Sequence, residues 1–464
     1  MNKDRELFER TPVPRALATL AIPTIISQLI TMIYNLADTF YIGLANNPSM
    51  TAASSLTFTL VFAMSCLSNL FGVGGGSLIS RLLGQKRDAD ASQVCSFSFY
   101  GALFSSVIYS LSVLIFMEPL LRLLGATDGS IGYATDYAMW VIVVGGIPLT
   151  LSMTMANLLR SEGYAKEASF GLGMGGVINM ALDPLFMFVI LEPGSEVKGA
   201  AIATMLSNLI VVIFFFIIFL VIRKKSVLSV DPKLAIPKSE HIKAVFVVGI
   251  PSALSSLFAC LSNVVLNNLA SGYSHLYGDV PVAAVGIAKK IDMLPMNVGM
   301  GLCQGMMPLV AYNYASGNYK RMRSFATSAR IAGISFAVVC VLCFQLFTEP
   351  IVTIFNGDPM TVEMSRDFLR ILCLAVPLMI INFQMNFTFQ AMGRGKQSLL
   401  LSSLRQGVVN IPLMFIMNHF FGLYGLVFTQ IISDILTTAI SFILYRGVLK
   451  ELDIKQKMTE NVEA

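Results

Sequence analysis

Two acidic residues stand where a carboxyl is expensive to keep. Asp38 and Asp183 each lie inside a long apolar stretch. An ionisable side chain in hydrocarbon costs roughly 2.5–3.5 kcal/mol on insertion scales, so it marks a functional site unless packing satisfies it. Asn35 precedes Asp38 by three positions and Asn179 precedes Asp183 by four, spacings that give each acid an amide neighbour on its own helix face. Thr204, in the stretch after Asp183, adds a hydroxyl. Carboxyls, amides and a hydroxyl gathered away from water suit Na⁺, a hard cation that takes oxygen ligands. They equally suit a proton, because desolvation and a like charge nearby both favour the neutral carboxyl. Asp38, Asn35, Asn179, Asp183 and Thr204 are therefore the candidate cation site, with Asp38, Asn179, Asp183 and Thr204 as the possible Na⁺ ligands. The alternative reading of the two acids is packing, with their polar neighbours satisfying them.

A second set of charges, Lys289, Lys290, Asp292 and Arg405, falls in apolar stretches of the other half. Lys289 and Asp292, three apart, could neutralise each other on one helix face or line a cleft. Pro23 and Pro184 break the hydrogen-bond ladder of the two acid-bearing stretches, leaving the carbonyls of Thr19 and Met180 unbonded, and so are candidate hinges.

The elements that position these residues are membrane helices. Of 464 residues, 55% are hydrophobic and only 13% charged, about half the roughly 25% of soluble domains, and the mean hydropathy is +0.72. The expected fold is an all-α polytopic membrane protein with twelve spans, starting near residues 16, 51, 93, 133, 168, 199, 244, 280, 325, 367, 398 and 423. The first apolar stretch, from about Ala16 to Gly43, is too long for the core of a cleaved signal peptide and should remain as a span. If the N-terminus is cytoplasmic, the inner segments carry 24 Lys and Arg and the outer loops only Arg122, Lys198 and Arg366. That bias predicts an inner (plasma) membrane protein with both termini in the cytoplasm.

The chain also repeats itself. Ile22-Pro23 with Ser27 recurs as Ile250-Pro251 with Ser255, and Pro184-Leu185 as Pro412-Leu413, each 228 positions on. Gly163 and Lys166 recur as Gly393 and Lys396 at an offset of 230. Each repeat holds six spans, an even number, so two six-helix bundles should face each other about a pseudo-two-fold axis along the membrane normal. Residues 1–222 form the first lobe, 223–243 a cytoplasmic linker, and 244–464 the second lobe. A cleft between parallel bundles is the usual setting for alternating access. The offset places Leu266 opposite Asp38, so any coupling should be asymmetric.

Other chemistry is poorly supported. Gly171, Gly173 and Gly176 have dinucleotide-loop spacing but follow no strand, and no phosphate-binding GxxxxGK[ST] occurs. The basic residues form no cluster for nucleic acid. Cys340 and Cys343 are a single CxxC in a chain with three His, too few ligands for structural zinc. An intramembrane enzyme would need a base within the spans, and His241, His275 and His419 all fall in loops or near span ends. No cofactor is expected beyond the coupling ion.

Several segments resemble the MATE (multidrug and toxic compound extrusion) transporter family. They are Tyr34-Asn35-Leu36-Ala37-Asp38-Thr39, Gly74-Gly75-Gly76-Ser77, Arg160-Ser161-Glu162-Gly163, Leu182-Asp183-Pro184-Leu185-Phe186, Gly199-Ala200-Ala201-Ile202-Ala203-Thr204, and Pro308-Leu309 with Tyr312-Asn313-Tyr314. The resemblance implies export of amphipathic, often cationic, organic compounds in exchange for H⁺ or Na⁺. It implies a cation site at Asp38, Asn179 and Asp183, with Thr204 as a further ligand, and bending of span 1 at Pro23. Spans 7 and 10 lack the acids that one branch carries, so the chain is similar to the MepA-like branch. A related lipid-linked oligosaccharide flippase is the other reading, for which Lys289, Lys290 and Arg405 would supply a cationic cleft. Small organic substrates and membrane lipid are the expected partners of a chain working as a monomer.

Overall fold

Each apolar stretch folds as helix because hydrocarbon forces every backbone polar group to find its partner within the segment. The computed structural model describes residues 3–463 apart from 46, 279, 356 and 357, and every regular element among them is helical. Spans 1 to 3 are Val13–Leu44, Pro48–Gly84 and Asp88–Ile115. Span 4 joins Ile131–Val144 to Gly146–Ser161 with a 48° bend. Span 5 is Ala165–Leu185, widened into a π-helical turn over Phe186–Ile190, and span 6 is Glu196–Ile222. Spans 7 to 9 are Ser239–Ser271, Val280–Ala315 and Tyr319–Leu346, and span 10 runs Pro359–Ala391. Spans 11 and 12 share one long helical stretch after Gly395, folded back at Gly422. The φ of 61° there lies in the left-handed region that only glycine adopts without strain. The spans thus number twelve, in two six-helix bundles, and the chain is a multi-pass membrane protein.

The bundles meet along spans 1, 2, 7 and 8, where glycine lets backbones touch. A Cβ on Gly301 would sit 2.6 Å from Ile25 Cα, and one on Gly305 2.5 Å from Ala21 Cα, so spans 8 and 1 approach closely. Gly74 and Gly249 do the same for spans 2 and 7, a Cβ on the first lying 3.1 Å from the Cα of the second. Ser77 Oγ donates to the Gln390 carbonyl across this seam at 2.6 Å. Small residues are the usual means of close packing where lipid removes the hydrophobic drive. Because neighbouring spans alternate in direction, these contacts all lie toward one end of the molecule, the end that holds the connection between the halves.

That end is further sealed by the short N-terminal helix Lys3–Glu9. Phe8 is 2% exposed, stacks on Tyr312 at 4.9 Å and lies beside Gly163 at the end of span 4. Its carbonyl accepts from Arg321 Nε at 2.7 Å, and Tyr312 donates to Glu9 at 2.6 Å. The connection after Ile222 is pinned to the first bundle: Val227 N donates to Glu162 at 3.0 Å and Ser96 Oγ to the Ser229 carbonyl at 2.8 Å.

A leucine at Gly305 must part spans 1 and 8, an overpacking penalty of about 1–3 kcal/mol against the closed seam. Gly305→Leu is expected to raise amide hydrogen exchange over residues 18–26 and 299–307, read by mass spectrometry, while exchange in span 3 stays at its native rate.

Candidate functional site

Span 5 owes its place to its glycines. A Cβ on Gly173 would lie 3.0 Å from Ile30 Cδ1, one on Gly176 2.9 Å from Tyr34 Cδ1, and one on Gly171 would collide with Phe215. The three glycines with dinucleotide-loop spacing are therefore a packing surface that admits span 1 on one side and span 6 on the other. The consequence is that Asp38, Asp183 and Thr204 converge.

Asp183 is fully buried. Asn179 Nδ2 donates to Asp183 Oδ1 at 3.2 Å and lies 3.3 Å from Thr204 Oγ1, so one amide bridges spans 5 and 6. Asp38, half-buried, lies close enough to Asp183 for the two charges to interact. Tyr34 and Tyr137 are within electrostatic reach of both carboxyls. Three oxygens of this group, Asp38 Oδ1, Asn179 Oδ1 and Asp183 Oδ2, are buried with no hydrogen-bond partner among the described residues. Buried acceptors left unpaired are costly, of order 1–3 kcal/mol each. A proton or a small cation bound among them removes that cost, and the donor set of two carboxyls, an amide oxygen and a hydroxyl fits Na⁺ in type. Asn35 is not brought in: it is exposed, and the neighbour of Asp38 on the face toward span 5 is Tyr34, four positions away.

The backbone is irregular around these groups. The π-helical turn of span 5 begins three residues after Asp183, and another in span 4, Met139–Val144, begins two after Tyr137. Such widened turns recur at functional sites. Span 1, in contrast, continues as helix through Pro23, with Thr24 Oγ1 donating back to the Leu20 carbonyl at 2.8 Å. Pro184 sits one residue before the end of the α-helical part of span 5.

The second bundle handles its charges differently. Arg405, in a third π-helical turn, Leu404–Val408, donates from Nε to Asp434 Oδ1 at 2.6 Å and lies over the Phe383 ring at 4.6 Å. Asp434, fully buried, also accepts from Asn382 Nδ2 at 3.1 Å and Gln430 Nε2 at 3.0 Å. Asp434 is an intramembrane acid outside the candidates drawn from the residues. It lies in span 12, where the same rule that singled out Asp38 applies. Lys289 and Asp292 come within electrostatic range of this pair and of each other, but among the described residues they form no direct ion pair. Lys290 is exposed. Leu266 is packed in an apolar cluster.

Two cavities flank the seam. One, of about 250 Å³, is lined by Tyr34, Asn157, Arg160, Asn179 and Thr204. The other, of about 260 Å³, is lined by Asn382, Phe383, Asn386 and Arg405. Gln28, Phe62, Asn69, Ser256 and Gln304 border both, so they are chambers of one cleft between the bundles.

A duplicated twelve-helix membrane protein with a central cleft between its bundles has the architecture of a membrane transporter. The chain belongs to the MatE family, whose model matches residues 23–185 and 251–416, once in each half. It is 32% identical over 435 residues to the multidrug export protein MepA of Staphylococcus aureus (strain MRSA252), covering 93% of this chain and 94% of that protein. MepA of Staphylococcus saprophyticus is also 32% identical, over the same shares of the two chains. Among solved structures, a multidrug resistance MATE family transporter in its outward-facing conformation is similar with a TM-score of 0.89 at 25% identity, covering 97% of this chain and 99% of that one.

Removing one member of the Arg405–Asp434 pair leaves the other charge buried alone, at about 3–5 kcal/mol, whereas replacing both with apolar groups is close to neutral. Arg405→Met and Asp434→Leu are each expected to lower the thermal midpoint in detergent, and the double variant to recover most of the loss.

Proposed function

We propose that the protein is a cation-coupled antiporter that exports amphipathic, often cationic, organic compounds by alternating access between its bundles. The observation that carries this reading is the set of three unpartnered buried oxygens on Asp38, Asn179 and Asp183, beside a chamber that opens onto the central cleft. A cation entering from outside satisfies those oxygens, and its release inside leaves them to be satisfied again. The coupling ion is H⁺ or Na⁺, held by Asp38, Asn179, Asp183 and Thr204, with Pro23 and Pro184 as the points where the acid-bearing spans bend. The export of multiple drugs that names the MepA relatives supports this substrate class.

The bias of Lys and Arg toward one face supports a plasma membrane location with both termini in the cytoplasm. On that reading the glycine seam and the N-terminal helix close the cytoplasmic side, and the described state faces outward. The chain works as a monomer, since its two bundles enclose the whole cleft. The flippase reading loses its ground because Arg405 is neutralised by Asp434 and Lys290 is exposed.

Asp38→Asn and Asp183→Asn are each expected to abolish ion-driven efflux of a cationic dye with protein level unchanged. The test is dye transport in proteoliposomes under a pH gradient alone and then a Na⁺ gradient alone. Undiminished efflux in both variants removes the coupling site. Failure of either gradient to drive the wild type, together with movement of lipid-linked sugars, replaces the reading with the flippase.

A further inference from the structure

Arg160 is a buried cation without a counter-ion. It lies one residue before the end of span 4, is only 6% exposed, and lines the chamber that also holds Asn179 and Thr204. A guanidinium has five N–H donors. Here Nη1 reaches Asn157 Oδ1 at 3.3 Å, while Nε is buried without a partner. Burial is the influence that acts on it, and no carboxylate among the described residues pairs with it. Glu162, two positions on, is engaged by Ser226 and Val227 of the connection.

Arg405, buried to the same degree, is matched by Asp434, and the half-buried Arg394 by Glu451 at 2.6 Å, while the half-buried Arg81 donates to the Ser77 carbonyl at 3.3 Å. The repeat sharpens the contrast. At the offset of 230 that aligns Gly163 with Gly393, the counterpart of Arg160 is Gln390, a neutral side chain bordering the other chamber. The fold therefore closes this floor without a charge in one half and with an unpaired charge in the other. Beside Arg160 a cleft of about 30 Å³ also borders Gln304, whose Oε1 is unpartnered. A water there could bridge the two groups, but it would leave the positive charge uncompensated.

We propose that Arg160 is an anion subsite of the cleft, which receives the carboxylate of an amphipathic organic substrate while the rest of the molecule lies in the chamber above it. This deepens the antiporter reading and rests on it: the transported compounds include ones that carry an acid group as well as an organic cation. A carboxylate paired to the guanidinium supplies the missing charge and takes up its free N–H groups. Desolvated guanidinium–carboxylate pairs are among the stronger polar contacts.

The test uses purified full-length protein in detergent and two probes, a cationic xanthene dye with a free benzoate carboxyl and the methyl ester of the same dye. Affinities are read by fluorescence anisotropy. The wild type is expected to prefer the free acid by about tenfold, the ratio a charge-assisted contact of this kind supports. In Arg160→Gln that ratio should collapse to about one, and Arg160→Lys should restore part of it. A wild type with no preference, or with preference for the ester, overturns the assignment even if the variants do not fold. An unchanged ratio in Arg160→Gln overturns it too, and leaves the antiporter reading standing. Binding of neither dye by the wild type removes both.

Discussion

Hydrocarbon offers a charge no water, so each ionisable group carried into it must be neutralised by the protein or put to use. The two bundles answer this constraint in opposite ways. In the second, Asp434 receives Arg405, Asn382 and Gln430, and the guanidinium is further held over Phe383. Both oxygens of Asp434 are taken up. In the first, Asp183 receives a single amide, and one oxygen each of Asp38, Asn179 and Asp183 is unpaired. The repeat makes the comparison direct. Gly199 and Ser207 align with Gly425 and Ser433, which sets Asp434 opposite Asn208 and Gln430 opposite Thr204. Where the first half leaves carboxyl and amide oxygens unpaired, the second ties its acid to an arginine.

Both the site and the seam depend on missing side chains. Gly173 and Gly176 let span 1 lie against span 5, which brings Asp38 toward Asp183. Gly301 and Gly305 let span 8 lie against the other end of the same span 1. One helix therefore belongs to the cation site along its second half and to the closed seam along its first. Pro23, between the contacts at Ala21 and Ile25, interrupts its hydrogen-bond ladder within the seam itself. On the antiporter reading proposed above, a response of span 1 to a cation would be felt where the bundles meet.

Much of this was legible in the residues. Length and apolarity fix the number of spans, the repeat fixes the two bundles, and intramembrane acids point to Asp38 and Asp183. What failed did so for identifiable reasons. Asn35 was paired with Asp38 on spacing alone, but spacing does not say which side of a helix faces protein, and here Tyr34 takes that side. Asp434 was overlooked although its span contains no other charge near it. Arg160 closes its span, where an arginine reads as a cytoplasmic loop charge, and only its burial shows that the charge is held inside. Lys289 and Asp292 have the spacing of an ion pair but, among the described residues, form no direct one; both lie within electrostatic range of Arg405 and Asp434.

On the proposed alternating-access reading, the closed seam must also be weak enough to open. Bound cation can shift an equilibrium between two states only by the difference in its affinity for them, and couplings between sites are typically 1–3 kcal/mol. Besides the buried apolar cluster that both bundles share here, with Leu20 and Ile79 from one and Val248 and Leu302 from the other, the seam holds glycine contacts, single hydrogen bonds such as Ser77 to Gln390 and Asn69 to Ser256 at 3.0 Å, and the seat of Phe8 on Tyr312. Each contributes about 1 kcal/mol or less beyond what water would return on opening. Phe8 differs from the others in kind, because it is carried on a separate short helix and touches both bundles at once, at Gly163 and at Tyr312. Its withdrawal would remove a contact to each half in one step, so the N-terminal segment adds to the cost of opening without adding to the interface that the spans must separate.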